Sequence, residues 1–173
     1  PPRDGSPASL FVGLRTPAPA LRGRRSTSSA LAHVDDLVLA QGLHPARAFR
    51  ERGREADVKA FVRRSLLDAY ATAGRLKEAA DTKETGVRYP SNDLGLRLVS
   101  RLIRAGFHTR VFYVEQTGYD THYSQLPDHA RLLGELGGAL RAFLDDLGSA
   151  GLAARGAVLA FSEFGRRVAA NGS

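Results

Sequence analysis

The chain has 173 residues, 43% of them hydrophobic and 25% charged, which is enough for one domain with a real core. It contains no cysteine, so disulfides, thiolate nucleophiles and cysteine-ligated zinc are excluded within it, and no stretch approaches the roughly 20 apolar residues of a membrane-spanning helix. The net charge of +7 is spread along the chain, with nine arginines against five acids in residues 1–55 and 16 Lys/Arg against 13 acids in residues 56–173, so a solvated basic surface is expected rather than a nucleic-acid interface.

In chain order, residues 1–55 read as a loosely structured part rich in Pro, Arg, Ser and Gly. It holds one short strand at Ser9–Leu14, bounded by Pro7 and Pro17, and a second at Asp36–Leu39. The Arg22–Ser29 tract reads as loop. Residues 56–173 read as an α/β core: helix, helix, strand, helix, strand. The first helix runs from Asp57 to about Ala80, with Val58, Phe61, Val62, Leu66, Ala69, Ala73, Leu76 and Ala80 on one face. The second runs from about Asn92 to Ala105, carries Leu94, Leu98, Leu102, Val99 and Ile103 inward, and is capped by Gly106. Arg110–Glu115 is short, β-branched and aromatic, as a strand covered on both sides should be. A helix follows from near Pro127, a favoured early helical position, to Gly148. Gly156–Phe161 reads as a second buried strand. Strand, helix and strand over 110–161 fit a parallel βαβ unit. The chain starts at Pro1 without a methionine or signal peptide and stops at Asn171-Gly172-Ser173; both ends read as cuts.

In an open parallel sheet, ligands bind beyond the carboxyl ends of the strands. Two segments follow such ends: Gly118–Gln125 and Ser162–Arg167. If the two strands are neighbours, these segments share a crevice. Carboxylate and neutral imidazole are natural zinc or manganese ligands, so Asp120 and His122 are metal candidates, with Glu163 as a third or water-mediated one. Arg166 is placed to clamp an anion, and Gln125 and His129 are further substrate-binding candidates. A D-x-H triplet alone is a weak signal. The alternative is that Asp120 closes a turn after Gly118, that His122 is an ordinary loop residue, that His129 lies on the helix surface, and that Arg166 forms surface ion pairs. No nucleophile elbow, Walker loop or G-x-G-x-x-G fingerprint occurs, so no catalytic nucleophile is assigned.

Gly118-Tyr-Asp-Thr-His122, Gln125, His129-Ala-Arg-Leu-Leu-Gly-Glu-Leu136, Phe161-Ser-Glu-Phe-Gly-Arg-Arg167 and Asn171-Gly172 together resemble domain-of-unknown-function family 1501. Its members are bacterial proteins, often carrying a twin-arginine export signal. The resemblance covers about residues 56–173. It implies a branch of the alkaline-phosphatase and sulfatase superfamily, hence a three-layer α/β/α fold with a mainly parallel sheet, incomplete here at both ends. It also implies a site for one or two divalent metals. Asp120 and His122 would match the first metal-binding loop, and Glu163 stands where many relatives carry an Asp-His pair. An upstream aspartate-bearing loop and a T-D-H-G motif are not found in these 173 residues.

The resulting expectation is a metal-dependent hydrolase of phosphate or sulfate esters, exported in the full-length protein and inactive as this fragment. Its partner would be an anionic small-molecule or polysaccharide ester. The alternative is a non-catalytic exported binding protein that keeps the fold. Oligomeric state is left open.

Overall fold

The computed structural model describes residues 6–13, 28–31, 72–82, 84–121, 125–162 and 165. Three short strands form a parallel sheet: β1 (Ser9–Val12), β2 (Ser28–Leu31) and β3 (Val111–Val114), in the order β2-β1-β3. Ser9 pairs with Ser28 and with Val111, and the register continues to Val12 opposite Leu31 and Val114. The helices are α1 (residues 72–80), α2 (Leu96–Arg104) and α3 (Gln125–Ser149), followed by a short 3-10 turn at Ala153–Arg155. This is a small α/β arrangement.

β1 is the central strand and is buried at all four positions, as its uninterrupted apolar run requires. Alternation along the strands separates two faces. Leu10, Val12, Leu31, Phe112 and Val114 point into the core, where they meet Leu76 and Ala79 of α1, Leu96, Val99 and Leu102 of α2, and Ala139, Phe143 and Leu147 of α3. Phe11 and Tyr113, in register on the other face, bring their rings to 5.6 Å.

α2 begins abruptly. Leu94 (φ 55) and Gly95 (φ 78) both adopt left-handed backbone, and the Gly95 amide donates to Asp93 Oδ1 at 2.8 Å. A Cβ on Gly95 would stand 2.6 Å from Val12 Cγ1. The glycine therefore lets the start of α2 close onto the end of β1. At the other end Gly106 (φ 80) stops the helix, as its sequence position predicts.

A buried carboxylate ties the helices together. Asp146 of α3 is 2% exposed. It accepts hydrogen bonds from Thr85 Oγ1 and from Tyr89 OH (2.9 Å), and Arg104 of α2 approaches to 3.7 Å. Burial pushes its carboxyl upward, but the Thr85, Ser100 and Tyr89 hydroxyls and the Arg104 charge outweigh this, and the group is held below its ordinary range.

The structure differs from the sequence reading in two places. Ser28–Leu31 is a strand in a stretch read partly as loop. It draws its place from pairing with β1, not from its own Ser-rich composition. β1 begins at Ser9 as expected and ends two residues earlier, at Val12. Gly156–Phe161 is no buried strand: it has no regular secondary structure and is exposed, with Leu159 81% and Phe161 67% accessible. An apolar run becomes a buried strand only where both its faces are covered, and here the ring of Phe161 rests edge-on against Tyr113 at 6.1 Å. The proposed strand at Asp36–Leu39 and residues 57–71 of the first helix lie outside the described residues.

Candidate functional site

The three strands run in one direction, so their carboxyl ends, at Val12, Leu31 and Val114, open on one edge of the sheet. This edge is where an α/β sheet binds ligands. The loop Glu115–Thr121 leaves β3 there and leads to α3.

Gly118 (φ 100) turns the loop in a conformation that costs any L side chain. The Thr121 amide then donates to the Tyr119 carbonyl at 3.0 Å. An i-to-i+2 bond of this kind closes a three-residue turn, and Asp120 is its central residue. Asp120 is exposed, so its carboxylate leaves the chain at the apex of a tight turn.

The rest of the loop is fastened to α3. Gln116 Nε2 donates to the Leu132 carbonyl at 3.0 Å, and Tyr119 OH donates to Gln116 Oε1 at 2.9 Å. His129 packs edge-on against the Tyr119 ring, with centroids 5.6 Å apart and Nε2 3.4 Å from the Tyr119 carbonyl. Burial, together with the nearby Glu135 carboxylate, raises the Tyr119 phenol, which keeps it a proton donor. Glu135 is held below its ordinary range by Arg131 and Asn92, both of which donate to it at 2.7 Å.

Of the residues singled out in the sequence, Asp120 lies on this loop, and His129, on α3, packs against its neighbour Tyr119. Gln125 is the first residue of α3 and half-buried. His122, Glu163 and Arg166 lie outside the described residues. Among the described residues no group of three His, Cys, Asp or Glu is assembled that could hold a metal, and no helix is long and apolar enough to cross a membrane. Gln116 and Tyr119 were missed. Their neighbours in the chain give no hint that they reach α3, although Gln116 stands two residues past the end of β3, where ligand-facing residues concentrate.

The profile of a family described as "Protein of unknown function (DUF1501)" matches residues 11–173. The chain belongs to the DUF1501 family. No curated protein and no solved structure matches it. In this DUF1501 chain the match takes in Phe11 and Val12 of β1, all of β2 and β3, and the Asp120 turn. Phe161 against Tyr113 brings the start of the Ser162–Arg167 segment to the strand that carries the Asp120 turn.

Proposed function

We propose that this DUF1501 chain is part of a metal-dependent hydrolase of phosphate or sulfate esters, built on a three-layer alkaline-phosphatase-like fold and exported from the cell. The observation that carries the reading is the position of Asp120, exposed at the apex of a tight turn at the carboxyl edge of a parallel sheet. A carboxylate so presented fits a divalent-cation ligand. In this reading His122 and Glu163 complete the set, zinc or manganese is the ion, and Arg166 with Gln125 and His129 holds the anionic ester. A bound ion would polarise the ester oxygen and lower the pKa of a nucleophile. The chain's own part is to present the ligands and keep them still.

Metal analysis of the chain after dialysis against zinc or manganese tests the reading. Stoichiometric metal that disappears in an Asp120→Ala/His122→Ala variant supports it. A folded chain that retains no metal argues for a non-catalytic binding protein.

A further inference from the structure

We propose that Gln116 is the positioning residue of the Asp120 turn and that it acts through Tyr119, the two side chains together fixing where the carboxylate stands. Its consequence for metal binding rests on the hydrolase reading above; the fastening itself does not.

The orientation of the Gln116 carboxamide is forced. The Leu132 carbonyl can only accept, so the NH2 group must face it. Oε1 then faces the phenol, and the Tyr119 O–H must donate to it. A flipped amide would set two carbonyl oxygens against each other. Tyr119 is thereby held through its side chain, while its carbonyl receives the Thr121 amide and lies beside His129 Nε2. Residue 120 sits between these two anchored neighbours. Leu132 is buried at 3% exposure within a helix of 25 residues, so the anchor is rigid. Gly118, whose φ of 100 is open to few other residues, gives the loop freedom to swing. The bridge to α3 selects one arrangement from that freedom, which is what a site built on a loop needs from its support.

The test is amide hydrogen exchange across the whole chain, with Mn2+ titration alongside, for wild type, Gln116→Leu, Tyr119→Phe and the double variant. Losing a net hydrogen bond should speed exchange of the Thr121 amide by about three- to tenfold. Amides of Ala139 to Phe143 in α3 should not change. The double variant should be no faster than Gln116→Leu alone, because both changes remove one bridge. Mn2+ binding should weaken in parallel. Unchanged exchange at Thr121 in a folded Gln116→Leu chain overturns the proposal, as does an equal rise at Ala139 to Phe143, which would mark general loosening. A wild-type chain that takes up no Mn2+ defeats the hydrolase reading, and Thr121 exchange then still decides the fastening.

Discussion

Replacing Asp146 with asparagine should destabilise the protein more than any surface change. The carboxylate is buried and receives two hydrogen bonds, from Thr85 and Tyr89, with Arg104 close by. Hydrogen bonds to a charged group contribute about 1.5–3 kcal/mol each, and a neutral replacement bond about 1. Asparagine keeps one carbonyl oxygen, can retain one neutral bond, and removes the charge that faces Arg104. The expected loss is about 3 kcal/mol, or about 6–12 °C in Tm for a chain of this size. Urea denaturation followed by far-UV circular dichroism measures it. The penalty should also depend on pH. The folded carboxyl titrates below its unfolded value, which is near 3.9. Its contribution is therefore full above that value and is lost as pH falls through the folded pKa. Wild type and Asp146→Asn should differ by a constant amount between about pH 6 and 8 and converge in acid. A loss under about 1 kcal/mol at pH 7, or a gap that widens in acid, would refute the reasoning.

Two further comparisons follow from the backbone and the sheet edge. Gly95→Ala should cost more than Gly86→Ala by about 1–3 kcal/mol, measured by thermal melting. Both glycines have positive φ, but only at Gly95 would the new Cβ press on β1; equal losses would show that the end of β1 yields freely. Phe161→Ala should change stability by no more than about 1 kcal/mol, since that ring is mostly exposed and meets Tyr113 edge-on. Phe143→Ala in the core should cost about 3–5 kcal/mol in the same denaturant titration, and similar losses for the two would mean the segment after the 3-10 turn is packed.

What the sequence made legible is what local chemistry controls. The apolar run at β1, the aromatic run at β3, the stripe of α2 with Gly106 after it, and α3 after the Gly118 loop all appear within a few residues of expectation. β2 was not legible because Ser-Ser-Ala-Leu becomes a strand only by pairing with β1. Gly156–Phe161 misled for the opposite reason: its composition suits a buried strand, but burial depends on neighbours. At the site, the position of Asp120 after a strand and Gly118 was readable from spacing, and the turn anticipated as the plainer alternative is present. The Gln116–Leu132 and Tyr119–His129 contacts were not, because they join a loop to a helix 10 to 16 residues further on.

A shared site requires the Asp120 turn and the segment after Phe161 to lie at one edge of the sheet, and the absence of cysteine makes the distance between them directly measurable. Spin labels on Thr117→Cys and Gly165→Cys, read by dipolar spectroscopy, should give a distribution centred below about 25 Å, because each label lies four residues beyond one ring of the Tyr113–Phe161 contact, whose centroids are 6.1 Å apart, and four residues span at most about 14 Å. A distribution centred well beyond that would put the segment after Phe161 away from the Asp120 turn and contradict a shared site.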